Sequence, residues 1–271
     1  MSDRRFMRRS ILSFASILGL AVLGLATCAH ATDSAPTTRA ARLTYMQGTV
    51  TVTWANNTAP AQLNLPLLAG VRLATGQDGQ AEVEFEDGSV VRLVAEARRA
   101  SHAGVSYWRG QRGLNGRSIG IEIANPGHEF GYRDFPVFQL VSVCDLCLEI
   151  MSRHAVPARN FVAHSDVAPD RKEDPGEKFD WEGLARNGVG LWPEGVPDLG
   201  TGGAVRDAAA LRDVRAALAK IGYEVAPEGP LDPALATVLR AFQRHWRGEA
   251  VNGQADAGTL ARLLAVARMC R

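Results

Sequence analysis

The chain has 271 residues, a formal net charge of +1 and 46% hydrophobic residues. That length supports two or three small apolar cores. The near-balanced charge removes the electrostatic case for a nucleic-acid partner. Met1 to Ala31 read as an export signal: Arg4, Arg5, Arg8 and Arg9 make a positive start, Ile11 to Ala26 an apolar stretch, and Ala29-His30-Ala31 a small-residue cleavage site. The expected product therefore begins near Thr32, in the periplasm or cell envelope. Two features leave alternatives open. The arginine pairs also suit a twin-arginine export route, and Leu25-Ala26-Thr27-Cys28 approximates a lipoprotein signal with Thr where Gly or Ala is usual. Membrane attachment enters only if Cys28 is lipidated.

From Arg42 to Leu93 apolar and polar residues alternate in short runs broken by Gly, Asn and Asp, which predicts a β-rich module of hairpins. Its pattern G-x-V-x-V, then L-x-x-G-x-x-L-x-T-G-x-D-G-x-A-x-V-x-F-x-D-G-S-x-V-x-L, resembles the FecR-like periplasmic domain, here over residues 39–93. Asp87 to Leu93, an Asp-Gly turn followed by alternating Val and Leu, fits the end of this module and also the start of the next.

Downstream, GRSIGIEIAN predicts a strand on which Glu122 faces away from Ile119, Ile121 and Ile123. Phe135 to His154 carry apolar residues at three- and four-residue steps, the period of an amphipathic helix. Cys144 and Cys147 lie on it, and with no thioredoxin-like strand and turn before them they read as buried thiols rather than a redox pair. Asn160 to Ala163 read as a short strand, with the Pro- and Asp-rich run after His164 as loop. Such a strand end lets the imidazole of His164 and the carboxylate of Asp174 converge, and both donors suit zinc. Lys172 would set a cation over the oxyanion formed when water attacks a carbonyl.

Three motifs then occur in a fixed order: HAGVSYWRG, the IGIEI strand with NPGH, and H-S-D-x-A-P-x-R-K-x-D-P-G, with GVGLWP following. Together they resemble the zinc-dependent N-acetylmuramoyl-L-alanine amidases of bacterial cell walls (type 2 amidases), from about residue 87 to 193, with the domain itself at 94–193. The resemblance implies an α/β domain with zinc ligands at His164 and Asp174, a catalytic Lys172 and a catalytic Glu122. It also implies a first zinc histidine on an early strand, and here the chain departs from the pattern: no histidine lies between Ala31 and Ser101. The sheet is therefore expected to be a truncated mixed one with flanking helices, and the Zn2+ site to be incomplete. His102 and His128 are the nearest substitutes. Ser101 replaces the Trp that the family usually places before H-A-G.

Residues 194–204 are rich in Gly and Pro and have no periodicity, as a linker should. Beyond them LRDVRAALAKIGYEV, GPLDPALATVLRAFQRHWR and GQADAGTLARLLAVA give three amphipathic helices, with Asp232 and Asp256 placed as N-caps. L-x-x-I-G-Y, G-x-L-D-x-x-L, A-F-Q-x-H and G-x-A-D-x-x-T-L make residues 205–268 resemble the three-helix peptidoglycan-binding module. Cys270 reads as an exposed thiol.

The sequence thus predicts a multi-domain chain: a β-rich FecR-like module, an α/β amidase-like domain and a C-terminal three-helix bundle. Peptidoglycan is the expected partner. Two functions stay open, an amidase weakened by its metal site and a non-catalytic peptidoglycan-binding relative. An envelope signalling protein acting through the FecR-like part is a third.

Overall fold

A computed structural model of the chain describes residues 13–16, 41–54, 57–68, 71–85, 90–94, 100–123 and 125–270. Except for Ser13–Ser16, the expected export signal with Cys28 lies outside them, and so does the Asp87 turn. The chain divides into two compact units, residues 1–100 and 101–271. No helix among the described residues is long and apolar enough to cross a membrane.

Among the described residues of the first unit the regular elements are all β strands. Strands β1 (Ser13–Ser16), β6 (Arg72–Thr75), β3 (Val50–Trp54) and β4 (Asn57–Pro60) form one antiparallel sheet in that order. Strands β5 (Pro66–Leu67), β2 (Ala41–Gln47), β7 (Gln80–Phe85) and β8 (Val90–Val94) form a second. The two-residue period sends Leu43 and Val83 from one sheet, and Val50, Val52 and Leu73 from the other, into a shared core. Leu43 pairs directly with Val83 across β2 and β7. The Gly76–Gly79 turn between β6 and β7 is closed by Gly79 N–H on Gly76 O (3.0 Å), and Asp78 Oδ1 accepts from Thr49 N–H (3.3 Å).

In the second unit helices dominate. Among its described residues the only ladder is the hairpin β9 (Tyr107–Trp108) and β10 (Gln111–Arg112). Among the described residues the expected strand over Ile119–Ile123 pairs with no other strand, so its N–H and C=O groups have no ladder partner there. Its alternation survives in part: Ile121 and Ile123 pack against an apolar cluster of Phe135, Val143, Cys147, Phe179, Leu184 and Val189 while Glu122 stays exposed, but Ile119, expected on the same buried face, is exposed too. Helix α1 (Val137–Arg153) fills the predicted Phe135–His154 window and buries Val143, Cys147 and Ile150. Burial pushes the Cys147 thiol up to about 11, so it stays protonated at neutral pH; Cys144 is only partly buried.

A second correction concerns Asn160–Ala163. Ala158–Asn160 form a 3-10 turn, and the chain then enters the short helix α2 (His164–Val167), so His164 opens a helix instead of closing a strand. The physical reason lies three residues on: the Asp166 carboxylate accepts the Ala163 N–H at 2.7 Å, which folds the segment into a capped turn.

Helices α4 (Ala208–Ile221), α5 (Pro233–Trp246) and α6 (Ala257–Met269) follow a short α3 (Trp181–Arg186). Asp207, Asp232 and Asp256 each cap one of them, accepting from Ala210, Leu235 and Thr259 N–H. Their core, built on Leu218, Leu239, Phe242 and Leu263, is not their own: Ala103, Trp108, Leu114 and Val167 belong to it too. Gly222 (φ +150°) marks the seam, because a Cβ there would stand 2.6 Å from the Trp108 ring. Residues 194–204 therefore separate two sequence patterns but not two cores. Gly200 and Gly202 carbonyls take the N–H groups of Gly258 and Ala257, and Arg247 reaches Gly200 O at 2.9 Å. Cys270 is likewise not the exposed thiol expected; it is 3% exposed, inside this core, since α6 runs on to Met269 and turns it inward.

Candidate active site

The centre is the loop from Ala168 to Gly176, folded back on α2. Ser165 N–H donates to Asp174 O at 3.0 Å, which brings the two carboxylate and imidazole donors together. His164 Nδ1 then lies 3.0 Å from Asp174 Oδ2, while His164 Nε2 is buried with no hydrogen-bond partner. Burial alone would raise the Asp174 carboxyl, but the hydrogen bond and charge of His164, with Lys172 beside it, outweigh that and hold it below the ordinary carboxylate value. Lys172, half-buried, is fixed through its backbone N–H on Ala168 O (3.0 Å).

An imidazole and a carboxylate 3.0 Å apart are donors of the types that suit zinc. Among the described residues no group of three His, Cys, Asp or Glu side chains is placed to hold a metal ion. His102, one expected substitute, has Nε2 2.9 Å from Ser118 Oγ. A Cβ on Gly120 would sit 2.6 Å from the His102 ring, so a bare glycine backbone lets that ring lie where it does. His128, the other, has Nε2 3.0 Å from Glu177 and Nδ1 3.7 Å from Glu173, on either side of Asp174. Its ring lies 4.3 Å from that of Tyr132, whose hydroxyl bridges Pro175 O and Lys178 N–H (both 2.8 Å). Burial holds the Tyr132 hydroxyl up at about 12, so it donates as a neutral phenol.

The H-A-G turn is held on both sides. Asn115 Oδ1 accepts from His102 N–H (3.1 Å) and Ala103 N–H (2.7 Å), and Arg171 from the opposite loop donates to Ala103 O (2.7 Å) and Val105 O (2.6 Å). Glu122 is exposed and makes no hydrogen bond to His164, Lys172 or Asp174. The structure thus unites three of the four sequence-predicted site residues and leaves the fourth apart from them.

Sequence reasoning missed the floor of the site. Asp166, 1% exposed, accepts from Tyr223 Oη–H, from His245 Nδ1 (2.6 Å) and from Ala163 N–H. Tyr223 comes from the turn after α4 and His245 from α5. Burial, then the charge of Asp166, pushes the Tyr223 phenol well above its ordinary value. The His245 ring is stacked between Trp181 (3.8 Å) and Trp246 (4.0 Å). Arg244, its neighbour, pairs with Glu173 beside Asp174. The signal was in plain view, since Asp166 stands in H-S-D, Tyr223 in I-G-Y and His245 in A-F-Q-x-H, but it was legible only as module signatures.

The second unit, largely helical with a small hairpin, thus presents an imidazole and a carboxylate at a loop mouth. The N-acetylmuramoyl-L-alanine amidase family matches residues 46–177, and a putative peptidoglycan-binding domain matches 207–263. The chain is 39% identical over 178 residues to the N-acetylmuramoyl-L-alanine amidase AmiD of Escherichia coli, spanning 63% of this chain and 64% of that one. Against the 1,6-anhydro-N-acetylmuramyl-L-alanine amidase AmpD of Enterobacter cloacae it is 42% identical over 95 residues, 35% of this chain and 49% of that one. Among solved structures, E. coli AmiD in complex with anhydro-N-acetylmuramic acid-L-Ala-D-gamma-Glu-L-Lys superposes with a TM-score of 0.56 at 36% identity, covering 67% of this chain and 73% of that one. AmpDh3 of Pseudomonas aeruginosa in complex with anhydromuramic pentapeptide gives 0.57 at 35% identity, with the same coverage. The chain belongs to the N-acetylmuramoyl-L-alanine amidase family. The family match begins at residue 46, upstream of the motifs that start near residue 87.

Proposed function

We propose that this protein is an exported peptidoglycan amidase that hydrolyses the amide between the lactyl group of N-acetylmuramic acid and the L-alanine of the stem peptide. The observation that carries the reading is the His164–Asp174 pair, 3.0 Å apart, inside the very motif that the family match covers. His164 and Asp174 would hold zinc, which when bound supplies a Lewis acid and a more acidic water. Lys172, held beside Asp174, stabilises negative charge that develops on the substrate carbonyl oxygen. Glu122, exposed on the segment between the two isoleucines, accepts the proton of the attacking water and returns it to the leaving amine. Glu122 would have to approach the pair in the substrate complex, since here it bonds to none of the three.

Residues 205–268 would grip the glycan–peptide polymer, and residues 39–93 are read as a FecR-like β module. Export at Ala31 would place the protein in the periplasm or envelope, with membrane attachment only through Cys28. The test is digestion of purified sacculi by the exported form, with released stem peptides identified by mass spectrometry. Free peptides beginning at L-alanine are expected, absent with Glu122→Gln and His164→Ala. Release by those two variants at the wild-type rate would overturn the reading.

A second reading, a non-catalytic peptidoglycan-binding relative, is favoured by one observation: the sequence has no histidine between Ala31 and Ser101 to complete the ligand set. Two protein donors hold zinc far more weakly than three. Sacculi that pull the protein down without losing stem peptides, with no zinc left after dialysis, would establish it.

A further inference from the structure

We infer that Tyr223 and His245, on the C-terminal helical module, are positioning residues for the His164–Asp174 pair. On the proposed reading of that pair as the reactive site, the module is thus part of the site as well as a polymer grip. Asp166 has essentially no contact with water, and a carboxylate in that state requires donors for its oxygens. It has three: the Ala163 N–H from its own turn, and the Tyr223 hydroxyl and His245 Nδ1–H from elements more than fifty residues away in sequence. Because a carboxylate can only accept, His245 Nδ1 carries the proton in this contact.

Oδ2 is shared. It takes both the His245 Nδ1–H at 2.6 Å and the Ala163 N–H at 2.7 Å, so the position of the imidazole on α5 sets the position of the Val162–Ala163 peptide, one residue before His164. From there the path to the pair is two bonds long. Ala163 leads directly to His164, and the neighbouring Ser165 N–H holds Asp174 O at 3.0 Å. The His245 ring cannot shift to suit the turn, since Trp181 and Trp246 close on its two faces at 3.8 and 4.0 Å. Arg244 on the same helix pins Glu173, so the loop is held on the Asp174 side as well. Groups behind a ligand that fix its direction commonly change metal affinity by about 10- to 100-fold when lost.

The experiment uses the full chain and substitutions that keep the packing. Tyr223→Phe removes one oxygen, and His245→Phe keeps a ring between the two tryptophans but removes the donor. His245→Asn restores a donor near the Nδ1 position. Amide hydrogen exchange is read at Ala163 and Ser165 and, separately, across α4, α5 and α6, and binding of Zn2+ alone is read by chelator competition. Both phenylalanine variants should speed exchange at Ala163 and Ser165 by about tenfold or more and weaken zinc by about tenfold. The helices should keep their wild-type protection, and His245→Asn should recover most of the loss. Unchanged exchange at Ala163 and Ser165 in both variants would overturn the inference. So would equal loss of protection throughout α4–α6, which would make the cluster ordinary core. If the wild-type chain binds no zinc, the amidase reading fails, while the exchange measurement still decides the positioning role.

Discussion

The C-terminal helices and the amidase-like segment of residues 101–193 share one apolar core, yet their local structures were written into the sequence in different ways. Each helix satisfies its own backbone within four residues, and each opens on an aspartate that accepts from the third residue of its first turn. The amidase-like segment depends on partners far away. Among the described residues Ile119–Ile123 pair with no neighbouring strand, and the Asp166 carboxylate that caps α2 draws its other two donors from Tyr223 and His245. Local periodicity thus predicts an element whose hydrogen bonds are internal, and overpredicts one whose hydrogen bonds must come from elsewhere.

The strongest way to break this comparison is to attack the shared core. Phe242 is fully buried in the cluster that joins Trp108, Leu114 and Val167 to the helices. Phe242→Ala should cost about 3–5 kcal/mol. The loss should appear as one cooperative transition, with exchange protection falling in residues 161–175 and in α4–α6 together. Two separated transitions in calorimetry would mean that the segments have independent cores.

What was legible follows the same division. Residues 137–153 and the three C-terminal helices were readable to within a few positions, because apolar spacing and caps are local signals. The approach of His164 to Asp174, with Lys172 between them in sequence, was readable because eleven residues, α2 and the loop after it, carry it. The fate of residues 194–204 was not: nothing in a Gly- and Pro-rich string announces that Gly200 and Gly202 will bond to α6. Nor did A-F-Q-x-H announce that its histidine faces a carboxylate from the other end of the unit.

A smaller effect sharpens the account of the caps. Asp256 is fully buried; burial would raise its carboxyl, but Thr259 N–H, Arg247 and Asn252 outweigh that and hold it below the ordinary value. Its depressed native value means that the stabilisation is complete above about pH 4, the ordinary carboxylate value. The stabilisation is then lost as the pH falls through the native value. Asp256→Asn keeps an acceptor for the cap but removes the charge facing Arg247 at 2.6 Å, a change worth about 2 kcal/mol. Urea unfolding at neutral pH should show that difference, and the two proteins should converge as the pH is lowered. A gap of constant size from neutral to acid would show that the charge of Asp256 is not the source.

The smallest effect concerns residues 194–199, which are mostly exposed and accept a protease readily. If the segment were a tether between independent bodies, a cut there would release a C-terminal fragment into solution. The structure predicts a different outcome. Past the cut, Gly200 and Gly202 remain bonded to α6, Arg109 on the other fragment still donates to Ile221 O at 2.9 Å, and Tyr223 and His245 still hold Asp166. The buried area behind those bonds, from Trp108 and Val167 to Leu239 and Phe242, is the hydrophobic term that keeps the pieces together. The nicked protein should therefore elute from a sizing column as one species, and separate only in denaturant. Two native peaks after the cut would return residues 194–204 to the role of a simple linker, and would remove the C-terminal helices from the support of His164 and Asp174.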